Sequence, residues 1–251
     1  MPDYFINKTD SRFFGQNLVG WKFNDENHIP VVKKHEVEIL QKYQPAMISV
    51  FIPVNYISSV HAFSKMGYDF MECRLFVQKE LDGHTKSYSL YPYEFIEITS
   101  RKELNNLLKI FDHITFDDRF FADPEIDNKL AIKRNIFFLE QSLKRKYERI
   151  FILQNSNNNE ILGFRSLKFK DNKEVDMLIS GIVQEKTEEN IQELINVFEL
   201  QILDDMGVQQ INMVISAKNY DEINRYLSKY NYIITDSKLV LRKILKPFSS
   251  L

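Results

Sequence analysis

Part of this chain occurs twice, and that limits what it can fold into. Displacing the sequence by 164 residues lays 55–79 on 219–243 without a gap, with seven identities in 25 positions, against roughly one or two by chance. Asn55-Tyr56 falls on Asn219-Tyr220, Ser64-Lys65 on Ser228-Lys229, Tyr68 on Tyr232, Leu75 on Leu239 and Lys79 on Lys243. Gly67 meets Asn231, and both residue types tolerate the left-handed backbone that a helix end followed by a strand requires. The unit reads strand, helix, cap, strand. In the first copy Met47 to Ile52, Ser58 to Lys65 and Tyr68 to Lys79 fill these roles; in the second, Ile211 to Ser216, Asp221 to Lys229 and Tyr232 to Ile244 do. A shorter similarity relates Asp10-Ser-Arg-Phe-Phe-Gly15 to Asp117-Asp-Arg-Phe-Phe-Ala122.

Only the second copy is preceded by enough chain for a fuller domain. Tyr93 to Thr99 reads as a strand, and Ser100-Arg-Lys-Glu103 is a capping box opening a helix to about Phe111. A second helical stretch runs from Asp127 to Arg145. Three strands follow, Arg149 to Gln154, Ile161 to Phe169 and Val175 to Val183, separated by turns at Asn155 to Asn159 and Asp171-Asn172. Thr187 caps a long helix to about Met206, with Ile191, Leu194, Ile195, Phe198 and Ile202 at helical spacing. Asp82-Gly83 breaks the pattern, so the expected domains are 1–85 and 86–251.

Several chemistries are excluded. Seven glycines stand where an average of about 7% would give roughly 17, and they are too scattered for a phosphate-cradling loop or dinucleotide fingerprint. The five histidines form no close pair, so no metal centre is expected. Cys73, the single cysteine, precludes an internal disulfide and reads as a packing residue. A net charge of -2 gives no global attraction to nucleic acid or membrane. With no apolar run near the roughly 20 residues of a membrane span and no signal-peptide layout, a cytoplasmic protein is expected.

The element order after Tyr93, with a hairpin carrying Ile161-Leu-Gly-Phe164, a strand leading into a long helix, then strand, Asn219, helix and strand, resembles the GNAT superfamily of acyl-CoA-dependent N-acyltransferases over about residues 92 to 245. Asp10 to Gly15 and Arg119-Phe120 are similar to segments of its nucleotide-sugar amine acetyltransferases of the dTDP-fucosamine type, which carry a truncated GNAT-like N-terminal half. The resemblance implies an α/β (α+β) GNAT fold: a mixed central sheet flanked by helices. The implied activity is transfer of an acetyl or short hydroxyacyl group, such as 3-hydroxybutanoyl, from acyl-CoA to the amine of a dTDP-linked amino sugar. Such products serve surface polysaccharide, O-antigen and lipopolysaccharide synthesis. Acyl-CoA is the implied co-substrate, with no metal; the partners are small molecules, with self-association as a homodimer allowed.

Site residues follow from the same resemblance. Strand backbone at Ile182, Val183 and Gln184 would pair with pantetheine and supply an oxyanion donor. Lys186, Thr187, Glu188, Glu189, Asn190 and Ile191 would occupy the pyrophosphate loop, where helix amides hold phosphate. That loop departs from the family pattern, with Glu189 and Ile191 replacing glycines. Thr187-x-x-Asn190 equally reads as a structural helix cap. Asn219 starts the next helix, and seven residues on, Tyr226 is the implied acid for the leaving thiolate. Counting back from Asn231 gives Leu227, and one inserted residue reconciles the two counts. Phe14, Arg119, Phe120 and Phe121 would face the acceptor, although paired phenylalanines also suit a core. Two other readings share the duplicated architecture: an aminoacyl-tRNA-dependent transferase of the FemABX type, and a non-catalytic GNAT module. CoA binding separates the first reading from both.

Overall fold

The computed structural model describes residues 3–83, 91–116, 119–171, 173–183 and 189–248, with the backbone alone at 27, 28, 115, 119, 189 and 190. The first half runs β1 (Asp3–Ile6), α1 (Lys8–Phe14), β2 (Leu18–Lys22), α2 (Val32–Tyr43), β3 (Met47–Pro53), α3 (Ile57–Lys65) and β4 (Asp69–Glu80). The second runs β5 (Tyr93–Ile98), α4 (Arg101–Leu108), β6 (Ile114–Thr115), α5 (Arg119–Ala122), α6 (Asn128–Ser142), β7 (Glu148–Asn155), β8 (Glu160–Phe169), β9 (Glu174–Val183), α7 (Glu189–Asp205), β10 (Gln210–Ser216), α8 (Tyr220–Asn224) and β11 (Ile233–Ile244). The local signals act as expected where they are strong. Ser100 accepts from the Glu103 amide while Glu103 reaches back to the Ser100 amide, and Asp127 caps α6 through the amides of Lys129 and Leu130. The first 46 residues, for which periodicity predicts no element, form β1 to α2.

All described strands join one mixed sheet in the order β1-β2-β3-β11-β4-β10-β9-β8-β7-β5, with β6 added to β9. The two halves exchange their last strands. β11 lies between β3 and β4, and β4 between β11 and β10. This arrangement has an internal two-fold axis. In the antiparallel β4/β11 ladder Arg74 pairs with Lys238, and those residues are repeat partners 164 apart. Each strand carries one unpaired extra residue, Met71 in β4 and Thr235 in β11, and these too are 164 apart. The ion pairs Arg74–Glu72 (2.7 Å) and Lys238–Asp236 (3.4 Å) repeat on either side of the axis. A bulge bends a strand and sharpens its twist, so matched bulges curve both exchanged strands alike.

The gapless 164-residue register needs a correction. β3 spans 47–53 and β10 spans 210–216, a displacement of 163, and the helix caps Tyr56 and Asn219 share it. β4 at 69–80 and β11 at 233–244 are displaced by 164. The second copy therefore contains one inserted residue. It is absorbed where α8 passes into a π-helical turn, Arg225–Lys229, while α3 is a regular α-helix. A π turn holds one residue more than an α turn over the same span, so helix and strand continue in phase beyond it.

Side chains on the two sheet faces form separate cores. α2 and α3 cover the first half through Trp21, Ile39, Ile48, Phe63 and Leu241. α7 and the π turn cover the second through Leu203, Ile211, Tyr226 and Tyr232. On the opposite face α4 and α6 pack on Ile150, Ile152 and Phe164. A smaller cluster, with Phe14, Leu18 and Met47 from one half against Phe120, Ile126 and Ala131 from the other, joins the halves.

Candidate active site

The parallel strands β9 and β10 pair only at their starts, from Glu174↔Gln210 to Asp176↔Asn212, and then diverge. Farther along, β6 takes the same edge of β9 at Ile182 and Val183. Met177 to Gly181 thus have no strand partner on that side among the described residues, and their backbone groups face a cleft of ≈590 Å³. β9 is bulged here. Its register with β8 slips between Arg165↔Ser180 and Leu167↔Met177, and the Ser166 hydroxyl donates to the Ile179 carbonyl (3.2 Å) and accepts from the Ile179 amide (3.1 Å). A bulge re-aims backbone groups, and Ser166 satisfies the pair that the slip would leave open. The corresponding parallel strands of the first half do not diverge: β2 pairs with β3 over its whole length, and the Phe23 amide extends the pairing to Phe51.

Phe116, Arg165, Ile182, Gln192, Ser216, Lys218, Asn219, Tyr220 and Arg225 are among the cleft's lining residues. Asn219 caps α8, and its side-chain amide donates to Glu222 (3.4 Å). Ile182 lines the cleft, but Val183 is buried with the α4 core. The free backbone edge thus lies a few residues before the expected Ile182 to Gln184 stretch. Gln184, Lys186, Thr187 and Glu188 lie outside the described residues. Glu189 and Asn190 begin α7, and the Ile191 side chain is core, packed with Leu153, Leu162 and Ile195.

Tyr226 is 1% exposed and sits behind the cleft wall rather than on it. Its hydroxyl donates to Asn196 Oδ1 (2.9 Å) and accepts from Arg165 Nη2 (3.1 Å), which also donates to Asn196 Oδ1 (3.0 Å). Glu199 completes the group, with Oε2 3.3 Å from Arg165 Nε. This is a correction to the expectation of a phenol aimed at the cleft: the inserted residue puts Tyr226 in the π turn, with its one proton already donated inward. Burial raises the phenol far above its ordinary value, the Arg165 charge opposing and Glu199 assisting. Burial also pushes the Glu199 carboxyl up to about 7 against the pull of Arg165. Burial alone would lower the guanidinium, but the charges of Glu199, Tyr226 and Glu222 together hold it above its ordinary value.

The other aromatic expectations divide. Phe14 and Phe120 are core residues, at 3% and 2% exposure with rings 5.9 Å apart. They pack in the cluster that joins the two halves, each on the buried side of its short helix. Phe121 is half-buried and stacks on Phe116 (5.2 Å), which lines the cleft. The Arg119 backbone lies in α5, and its side chain is outside the described residues. Cys73 is half-buried with its thiol pushed up by burial and by Glu72, as suits a packing residue. Among the described residues no group of metal-ligating side chains forms, and no helix is long and apolar enough to cross a membrane.

Arg165, Asn196 and Glu199 are site residues that the sequence reading missed. A signal existed: Glu199 stands four residues from both Ile195 and Leu203, on the apolar stripe of α7, and a charge on a core-facing stripe implies a buried partner.

No protein-family model matches the chain, and no curated protein matches it in sequence. Solved structures do match in shape. A functionally unknown conserved protein from Staphylococcus epidermidis ATCC 12228 superposes with a TM-score of 0.68 at 13% identity, covering 94% of this chain and 88% of that one. A GCN5-related N-acetyltransferase from Sphaerobacter thermophilus gives 0.64 at 12%, covering 99% and 78%. A GCN5-related glucosamine N-acetyltransferase region of a fungal multi-domain GH3 β-N-acetylglucosaminidase gives 0.59 at 12%, covering 96% of this chain and 31% of that one. At such identities the likeness is one of fold, and the fold is that of the GCN5-related N-acetyltransferases.

Proposed function

We propose that this protein is an N-acyltransferase that moves an acyl group from acyl-CoA to the amine of an amino sugar. The carrying observation is the unpartnered edge of β9, Met177 to Gly181, at the bulge where β9 and β10 diverge. A pantetheine arm carries amide groups, and a strand edge free of a partner strand offers the alternating donors and acceptors to pair with them. α7 follows β9 in the chain, and amides at a helix start favour phosphate.

In this reading acyl-CoA supplies the activated thioester, and the chain positions it. β9 backbone orients the carbonyl. Phe116 and Phe121 form an aromatic wall on the side from which an acceptor would enter, with Arg119 of α5 in the same segment. The amine attacks the carbonyl carbon, the C–S bond breaks, and the ammonium proton leaves to water. An amino sugar is favoured because a glucosamine N-acetyltransferase region shares this fold; a dTDP-linked sugar rests on the resemblance at Asp10 to Gly15 and Arg119-Phe120. Residues 1–85 then act as a structural half and 86–251 as the catalytic half, working in the cytoplasm, where both substrates are made.

Calorimetric titration with CoA, acetyl-CoA and a four-carbon hydroxyacyl-CoA, repeated with dTDP present, tests the reading without knowledge of the acceptor. Micromolar binding with a preference among thioesters is expected. No heat and no thermal stabilisation with any of them would overturn it.

A further inference from the structure

The cluster behind the cleft contains a cation with an unused corner. Arg165 is 3% exposed, yet it lines the cleft. Nη2 is occupied by Asn196 and Tyr226, and Nε faces Glu199. Nη1 makes no hydrogen bond with the described residues and, unlike Nε, is not sealed away from solvent. The residue is paired with Ser180, inside the unpartnered stretch of β9. A guanidinium cannot lose its proton in a protein, and here three residues of α7 and the π turn hold it in place.

Resting on the acyl-CoA reading, we propose that Arg165 presents Nη1 to the thioester sulfur and holds the departing CoA as its thiolate. The amine nitrogen forms the new C–N bond with its lone pair, and the C–S electron pair goes to sulfur. The amide nitrogen gives its extra proton to water, and the thiolate collects a proton from solvent on release. No acid has to act as the bond breaks. Tyr226 becomes a positioning residue, and that fits a hydroxyl whose proton is already committed to Asn196. Thiols beside Arg or Lys ionise well below about 8.5, and a preorganised cation stabilises developing charge without reorganising. Around this spot Lys218 and Arg225 add positive charge on the rim, Asp221 and Glu222 negative charge from α8, and Glu199 stands behind the guanidinium.

CoA itself is the probe, and no acceptor is needed. The thiolate absorbance of CoA saturating the protein is followed against pH, with the same protein and desulfo-CoA as blank. The bound thiol should ionise at least about one pH unit below free CoA, a tenfold higher thiolate-to-thiol ratio at a given pH. The shift should survive in part in Arg165→Lys and vanish in Arg165→Met/Glu199→Met, a double change that leaves no unpaired buried charge. CoA that binds with an unshifted thiol overturns this inference and leaves acyl transfer standing, as does a shift that persists in the folded double variant. CoA that does not bind overturns both. If the double variant fails to fold, the titration of the unsubstituted protein still decides.

Discussion

Removing the Arg242 guanidinium should cost more than almost any other single change away from the cleft. Arg242 lies on β11 at 7% exposure, and its Nε and Nη2 donate to the two oxygens of Asp123, each at 2.7 Å. Asp123 follows α5 and is 4% exposed. The third donor, Nη1, reaches Asp69 at 2.9 Å, but that carboxylate is 69% exposed. The two carboxylates should therefore be unequal. Arg242→Met leaves Asp123 buried and unpaired, a situation that costs about 3–5 kcal/mol, whereas Asp69→Asn removes an exposed pair worth about 0–1 kcal/mol. Replacing both partners, as Arg242→Met/Asp123→Leu, should recover much of the loss, because no charge is then left desolvated. Equilibrium urea unfolding of these three variants and of the single variant Asp123→Leu gives the four losses and, from the Arg242/Asp123 cycle, the coupling between the two partners. If Arg242→Met cost less than about 1 kcal/mol, or if the double variant were as unstable as the sum of its parts, the pair would not be the buried clamp described here.

Two further outcomes are expected. The Glu199 carboxyl is raised by burial from 4.5 to about 7, so the folded state holds its proton more tightly than the unfolded chain, and stability falls as pH rises between those values. Thermal melts at about pH 5 and pH 8 should show the unsubstituted protein losing more stability than Glu199→Gln over that interval, and parallel profiles would refute it. At Gly163 a Cβ would stand 2.8 Å from the Gly181 carbonyl oxygen and 2.9 Å from Ile195 Cδ1. Gly163→Ala must push β8 from β9 at the Gly181 carbonyl and displace the end of the Ile195 side chain, so it should cost about 1–3 kcal/mol and weaken CoA binding in calorimetry; unchanged values of both would show that the strands give way freely.

What was legible in the sequence was whatever local chemistry decides. The capping box at Ser100, the strand runs from Ile150 to Val183 and the apolar stripe of α7 each announce their element, and the repeat announced a two-fold plan. Strand exchange was not legible, because Val77 and Leu241 satisfy the same apolar pattern whichever strand lies beside them. The repeat register concealed the inserted residue, through the chance recurrence of Asn-Tyr one position out of structural register, while the two counts reaching Tyr226 and Leu227 already required it; that it takes the form of a π turn has no compositional mark. Arg165 and Glu199 were read past because charged residues are mostly at the surface; only their joint burial across β8 and α7 makes them a pair. The paired phenylalanines at Phe14 and Phe120 were ambiguous in sequence, and packing between the halves decided them.

The exchanged strands also set an order of events during synthesis. β4 has both its ladder partners, β10 and β11, in the second half, and more than 100 residues separate Glu80 from Gln210. At roughly 5–20 residues per second, the ribosome leaves β4 with two open edges for about 6–25 s, and β3 waits longer still for β11. A nascent chain in that condition is a template for pairing with its neighbours on a polysome. Charges spaced along β4 at Glu72, Arg74, Lys79 and Glu80, beyond any part they play in the finished sheet, stand where such premature partners would have to dock.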